Sequence, residues 1–459
     1  MEQITKPHCG ARLDRLPDCR WHSSMFAIVA FGLLVCWSNA VGGLILAQLK
    51  ALGWTDNSTT ATFSAITTAG MFLGALVGGI IGDKTGRRNA FILYEAIHIA
   101  SMVVGAFSPN MDFLIACRFV MGVGLGALLV TLFAGFTEYM PGRNRGTWSS
   151  RVSFIGNWSY PLCSLIAMGL TPLISAEWNW RVQLLIPAIL SLIATALAWR
   201  YFPESPRRLE SRGRYQEAEK VMRSIEEGVI RQTGKPLPPV VIADDGKAPQ
   251  AVPYSALLTG VLLKRVILGS CVLIAMNVVQ YTLINWLPTI FMTQGINLKD
   301  SIVLNTMSMF GAPFGIFIAM LVMDKIPRKT MGVGLLILIA VLGYIYSLQT
   351  SMLLITLIGF FLITFVYMYV CYASAVYVPE IWPTEAKLRG SGLANAVGRI
   401  SGIAAPYAVA VLLSSYGVTG VFILLGAVSI IVAIAIATIG IETKGVSVES
   451  LSIYAVANK

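Results

Sequence analysis

Glu95 and His98 stand three residues apart in "NAFILYEAIHIASMVVGAF", a stretch that is otherwise almost wholly apolar. On a helix that spacing puts both on one face, and a carboxylate beside an imidazole can hold and pass a proton. Arg118, in "CRFVMGVGLG", is a fixed cation in a second apolar stretch. In a third, Asn277, Tyr281 and Asn285 recur at i, i+4 and i+8 with Gln280 adjacent. Amides and phenols both donate and accept hydrogen bonds, which suits a hydroxylated ligand. Each group has two readings. Glu95 and His98 form a proton relay or simply satisfy each other. Arg118 holds a carboxylate, or it is a structural cation met by backbone carbonyls. The polar stripe is a substrate wall or a helix-packing contact.

The elements that carry these residues are membrane spans. The chain is 56% hydrophobic and only 12% charged, whereas soluble domains are about a quarter charged. Runs of roughly 20 apolar residues cross the hydrocarbon core as helices. Twelve are readable, at 24–48, 61–81, 89–107, 113–137, 148–173, 182–200, 266–291, 301–323, 331–349, 352–377, 391–414 and 420–441; we number them spans 1 to 12. They do not alternate as barrel strands must, so an all-α membrane protein of 12 transmembrane helices is expected. Of the 23 acids and three histidines, only Glu95 and His98 lie well inside a span, a placement that marks functional candidates.

The net charge of +11 sits on alternate connections. Lys6, Arg12, Arg15 and Arg20 precede span 1, "GDKTGRR" joins spans 2 and 3, and Arg143, Arg145 and Arg151 join spans 4 and 5. Twelve more cations lie between Arg200 and Arg265, while the opposite side has only Lys50, Arg181 and Lys299. Excess Lys and Arg mark the cytoplasmic face. Both termini are therefore expected inside, and the basic balance implies no nucleic acid. The seven cysteines lie in the N-terminus or in spans, so no disulfide framework is expected. His8, Cys9, Cys19 and His22 match no usual zinc spacing, and no metal or cofactor is expected. Asn57-Ser58-Thr59 is a formal glycosylation sequon that chance explains.

Domain boundaries follow. Residues 1–23 are a cytoplasmic N-terminus, 24–200 a six-helix lobe, 201–262 a cytoplasmic linker, 263–441 a second six-helix lobe and 442–459 a cytoplasmic tail. Within the linker, Ala218, Val221, Met222, Ile225 and Val229 predict one amphipathic helix. The halves repeat: "DKTGRR" at 83–88 returns as "DKIPRK" 241 residues on, and Glu138 and Pro141 return as Glu380 and Pro383 at an offset of 242. Six-span repeats with a site between the halves are a transporter architecture.

On these residues the chain resembles the major facilitator superfamily throughout its length. Gly79, Asp83, Lys84, Gly86, Arg87 and Arg88 match that family's motif between spans 2 and 3, and Arg118 resembles its fourth-helix arginine. "PESPRRL", with Glu204 and Arg207, is similar to the sugar porters' PESPRWL, Arg208 standing at the tryptophan position. "IETKG" at 441–445 is similar to their PETKG. "ARLDRLP" at 11–17 and "NWLPTIF" at 285–291 resemble the metabolite and aromatic-acid proton symporters. The resemblance implies two lobes rocking about a central site, with Asp83, Arg87, Arg88, Glu138, Arg145, Glu204, Arg207, Asp324, Arg328, Glu380 and Arg389 as an inner charge lattice that stabilises the outward-facing state. Glycines, among them Gly79 and Gly86, would let helices and turn approach closely. A purely topogenic role would need only the cations, not the acids. The second copy is worn, with Pro327 at a glycine position and two extra residues between Glu380 and Arg389.

The proton-coupled relatives carry an aspartate in the middle of span 1. Here Asn39 takes that place, and an amide cannot titrate. Asn39 and Arg118 are carried over as substrate ligands beside the span 7 stripe, with Tyr372 of span 10 added. The expected function is secondary transport of a small polar metabolite by alternating access with proton symport. The substrate is expected to be a sugar, sugar acid or polyol first, an organic carboxylate second. A passive uniporter, which Asn39 favours, and a solute sensor that does not transport are the alternatives. An enzyme is not expected from one buried acid and one histidine, and no P-loop for ATP is present. A monomer in a bacterial inner membrane, partnered by lipid, substrate and protons, completes the reading.

Overall fold

The computed structural model describes residues 7–17, 19–140, 145–240, 253–383 and 386–444; within these, the side chains of Asp83, Arg87, Phe133, Ala134, Thr137, Glu138, Arg145 and Leu388 lie outside the description. The regular secondary structure of the described residues is all helical, with no strand. Spans 2, 3 and 4 are Asn57–Thr85, Arg87–Ala106 and Met111–Tyr139; span 6 is Ala176–Tyr201 and span 7 Gly260–Thr293. Span 8 is Leu298–Met309 continued by Gly311–Val322, and span 9 is Arg328–Ser347. Span 10 runs from Met352–Cys371 through a π-helical turn, Tyr372–Tyr377, into Val378–Glu380. Among the described residues, nine helices are each long and apolar enough to cross a membrane. Twelve spans result because spans 1 and 5 are each built from two shorter pieces, and Lys387–Ile439 is spans 11 and 12 joined at non-helical Gly417 (φ 65°).

Several helix starts differ in chemistry between the two sides of the membrane. On the less basic side, Asp56, Asn110 and Asn297 each accept a backbone N–H three residues on, at 2.7, 2.9 and 2.8 Å, and so cap spans 2, 4 and 8. On the basic side no local residue caps spans 3 and 9. Carboxylates from far along the chain do that work, as described below.

Lobe packing relies on small residues, since lipid supplies no hydrophobic drive between spans. A Cβ at Gly70 or Gly74 of span 2 would collide with the Phe119 or Val123 carbonyl of span 4. Gly311 and Gly315 of span 8 meet the Phe360 and Thr364 carbonyls of span 10 in the same way. The internal repeat thus extends from motif to packing, with spans 2 and 4 matched by spans 8 and 10. Gly79 differs from its expected role, because nothing lies within 4 Å of a Cβ built there; the close approach belongs to Gly70, Gly74 and Gly78.

Span 1 is the departure from a plain helix. Arg20–Val35 stops and Gly42–Ala51 begins, leaving Cys36–Val41 as an irregular connection at mid-membrane. "CWSNAVGG" explains the break, because Ser and Asn compete for backbone hydrogen bonds and Gly weakens helices. Backbone groups freed in a membrane must find partners inside the protein, and the Ser38 carbonyl does.

Candidate functional site

The Ser38 carbonyl, freed by the break, accepts a 2.7 Å hydrogen bond from Arg118 Nη1. Arg118 Nε donates to Thr67 Oγ1 at 3.2 Å, and the guanidinium lies over the Phe63 ring, 4.5 Å from its centroid. The side chain is 1% exposed, and among the described residues no carboxylate lies within ion-pair distance of it. A buried cation without a counter-ion is costly. Its neighbours are a carbonyl, a hydroxyl, a thioether and a ring.

Ser38 also reaches the other way. Its Oγ lies 2.7 Å from His98 Nε2, and His98 Nδ1 lies 3.4 Å from Glu95 Oε2. Cys36 Sγ faces Glu95 Oε1 at 3.9 Å, and span 4 presses against His98 at Gly124. Glu95 and His98 are both fully buried. The pair is therefore more than self-satisfied. It connects through one serine to the residue that holds Arg118, forming a chain Glu95–His98–Ser38–Arg118. Asn39 sits half-buried in the same break. Ser38 escaped sequence reasoning; the only signal was a run of Ser, Asn and paired Gly inside an apolar stretch.

Span 7 faces this centre across the lobe boundary. A Cβ on Gly42 would lie 2.9 Å from Arg118 Nη2 and 3.4 Å from Asn285 Oδ1, so the two polar groups adjoin. One turn away, Tyr281 rests against Gly402 of span 11 and comes near Thr68 of span 2. Asn277 lies deeper, with Nδ2 bonded to its own helix at Leu273 O (2.7 Å) and packed on Gly398. Tyr160 of span 5 meets Tyr367 of span 10 edge-on at 5.3 Å, joining the lobes again. Gln280 and Tyr160 both adjoin the buried Tyr367 phenol. Tyr372 is placed elsewhere. It stacks on Tyr377 at 5.0 Å inside the second lobe, with its hydroxyl against Gly332 of span 9.

The charged turns form two matching clusters on the basic side. Glu204 Oε2 accepts from Arg88 N at 3.4 Å, at the N-terminus of span 3, beside Gly86, whose φ of 106° favours glycine. Arg208 holds this cluster, with Nη1 3.6 Å from Glu204 Oε1 and Nη2 donating to Lys84 O at 2.9 Å. Arg207 points the other way, to Asp14 at 2.9 Å. In the second lobe Glu442 accepts from Arg328 N at 2.7 Å and Lys329 N at 3.1 Å, at the N-terminus of span 9. Burial raises the Glu442 pKa, but these N–H groups outweigh it and hold the carboxyl below its ordinary range. Arg328 spans both oxygens of Glu380 at 3.1 and 3.2 Å and reaches Asp324 at 3.2 Å. Thr443 donates to Glu380 at 2.6 Å. Arg389 lies over the Tyr254 ring at 5.1 Å.

Cross-lobe contacts concentrate at mid-depth and on the less basic side. Asn57 Nδ2 donates to Ser414 Oγ at 2.9 Å, Asn305 Nδ2 to Ser164 Oγ at 3.1 Å, and Gly43 abuts the backbone of Ile284 and Asn285. The described ion pairs on the basic side join groups of one lobe or its adjoining linker. Two helical lobes closed at one side over a polar centre define a membrane transporter.

The chain belongs to the Major Facilitator Superfamily, whose family model matches residues 26–406. It is 44% identical over 455 residues to the inner membrane metabolite transport protein YdjE of Escherichia coli, covering 98% of this chain and 99% of that one. The niacin transporter NiaP of Acinetobacter baylyi is 26% identical, covering 96% and 99% of the two chains. Among solved structures, the xylose transporter XylE from E. coli in an inward-open conformation matches with a TM-score of 0.74 at 16% identity, over 94% of this chain and 99% of that one. The chain is thus an integral, multi-pass transporter and not an enzyme.

Proposed function

We propose that this protein carries a small metabolite bearing a carboxylate, a sugar acid or an organic acid, together with a proton across a bacterial inner membrane. The observation that carries this reading is Arg118, buried, cationic and without a carboxylate partner among the described residues, next to Asn285 of the opposite lobe. A substrate carboxylate would supply the missing counter-ion, and a guanidinium suits it by geometry. Asn285, Tyr281 and Gln280 then address hydroxyl or ring substituents, with Tyr160 and Tyr367 beyond them. An uncharged sugar would leave the cation uncompensated. NiaP, a niacin transporter, and the arabinose–proton symporter of Bacillus subtilis, 26% identical over 95% of this chain, are relatives of both kinds.

Proton coupling follows from the chain through Ser38. With His98 neutral and its Nδ1–H directed to Glu95, Nε2 accepts from the Ser38 hydroxyl; with His98 charged, Nε2–H donates to Ser38 Oγ. The direction of that hydrogen bond reports the proton, and the same residue's carbonyl holds Arg118. Glu95 takes over the acid's role that Asn39 cannot fill. The basic side faces the cytoplasm by the distribution of Lys and Arg. The lobes as described are closed toward the exterior, and the charged clusters of Glu204, Arg208, Glu380 and Arg328 meet when the basic side closes.

A ligand panel of sugar acids, aromatic and aliphatic carboxylates and uncharged sugars, read by thermal stabilisation, tests the substrate class; stabilisation by uncharged sugars alone contradicts it. Glu95→Gln tests coupling. Accumulation against a gradient is lost, while exchange persists because it needs only the loaded carrier to rock. A passive uniporter, which Asn39 favours, is the second reading; uptake in the wild type that never exceeds equilibrium and ignores a protonophore replaces ours with it.

A further inference from the structure

Before span 1, residues 7–17 are folded against the linker. Cys9–Asp14 is a short helix lying against two linker helices, Pro206–Ser211 and Tyr215–Thr233. Cys9, Leu13 and Leu16 are fully buried, in one apolar cluster with Leu209, Met222 and Ile225. Around that cluster the charges interlock. Arg12 takes both oxygens of Glu226, through Nε at 3.0 Å and Nη2 at 2.6 Å, and also pairs with Glu219. Arg15 adds a 2.5 Å contact to Glu226. These side chains are 11–28% exposed, so the pairs are not ordinary solvated surface bridges.

The short linker helix is held from two faces. Its outer face meets the N-terminal segment, where Arg207 donates to Asp14 at 2.9 Å and Glu210 accepts from Cys9 N at 2.7 Å. Its inner face carries Arg208, which with Glu204 just before the helix grips Lys84, Gly86 and Arg88 between spans 2 and 3. Adjacent arginines thus bind the two sides of one helical turn. The N-terminal segment is covalently the start of span 1, so it couples the first span to the linker.

We propose that residues 9–16 are a strap that clamps the linker onto the turn between spans 2 and 3, holding Glu204 in position for closure of the basic side. The strap gives "ARLDRLP" a function. Its alanine and leucine fill the interface, and its arginines lock Glu219 and Glu226. Burial raises the pKa of both carboxyls, but the arginines outweigh it and hold both below their ordinary range. Burial and then Glu210 push the Cys9 thiol up to about 12, so Cys9 is unreactive while the strap is docked.

That thiol is the probe. In purified full-length protein at neutral pH, the double variant Arg12→Glu/Arg15→Glu should react with a maleimide at Cys9 at least tenfold faster than the wild type. The signal is defined as the labelling that disappears in Cys9→Ser. Exchanging the partners as well, with Glu219→Arg and Glu226→Arg, should restore protection. The functional half is read from the outer seal, needing no substrate. Asn57→Cys/Ser414→Cys should cross-link under copper phenanthroline severalfold faster once the strap is released, because the basic side closes less often. Should the double variant not fold, Asp14→Asn, which loosens the Arg207 contact and leaves Arg12 and Arg15 in place, should give intermediate labelling. Cys9 labelling unchanged in the released variants overturns the clamp, and faster labelling with an unchanged outer cross-link overturns its role in gating.

Discussion

Replacing Arg118 separates a substrate-binding cation from a structural one. Its Nη1 is committed to the Ser38 carbonyl at 2.7 Å and its Nε to Thr67 at 3.2 Å, while Nη2 points past Gly42 toward Asn285. The guanidinium can thus hold the span 1 break and a ligand carboxylate at once. Lysine keeps the charge but not the fork, so Arg118→Lys loses one charged hydrogen bond, about 1.5–3 kcal/mol or about 10- to 150-fold in affinity. Arg118→Gln removes the partner of a buried anion, costing about 2–5 kcal/mol, or about 30- to 5,000-fold. The assay is isothermal titration with a carboxylate ligand from the panel and with its carboxamide. The acid should weaken by these factors, and the amide, which lacks the charge, by far less. Equal losses for acid and amide would refute the reasoning, since Arg118 would then be supporting the fold of span 1 and not the ligand.

Other outcomes follow from the same geometry. Gly43→Ala places a Cβ against the Ile284 carbonyl and 2.9 Å from the Asn285 carbonyl; overpacking of this kind costs about 1–3 kcal/mol. It should open the outer seal, seen as faster labelling of Asn285→Cys from the external side. Tyr281→Phe should weaken ligand binding about 5- to 150-fold by leaving a polar partner unmet, while Tyr372→Phe, remote from Arg118, should leave affinity unchanged. Glu442 has a depressed pKa relative to its ordinary 4.5, so it stabilises above that value, and the stability is lost as pH falls through the folded-state pKa. The melting temperature should drop as the medium is acidified below about pH 5, and Glu442→Gln should flatten that slope.

The spans were legible because a membrane imposes one length on every crossing, and the repeated "DKTGRR" and "DKIPRK" exposed the two-lobe plan. The break in span 1 was not. An apolar run containing Ser38 and Asn39 looks the same whether or not its helix is continuous, and the decision falls to Arg118, 80 residues away. The link from the Glu95–His98 pair to span 1 was hidden for the same reason, since only the break brings Ser38 to His98. The charged clusters were half legible. Motif matching marked Glu204 and Glu380, but it assigned Arg207 to the gate where Arg208 stands. Glu442 was quoted only within a motif, and its partner, the start of span 9, is 114 residues back along the chain. The strap was visible as a sequence without a purpose, because its acids lie more than 200 residues on.

The central claim is that a proton and a carboxylate move together. One proton with one monoanion carries no net charge, so a pH gradient alone should drive accumulation, about tenfold per pH unit at 1.36 kcal/mol. The membrane potential, worth about 2.3 kcal/mol per charge per 100 mV, should add nothing. The measurement is uptake of a panel carboxylate into proteoliposomes under an imposed pH gradient, with the potential clamped at zero and then stepped by potassium and valinomycin. Accumulation that scales with the pH gradient, is indifferent to the potential and vanishes in Glu95→Gln is the predicted result. Uptake that stops at equilibrium under every gradient, or survives Glu95→Gln undiminished, would contradict the account.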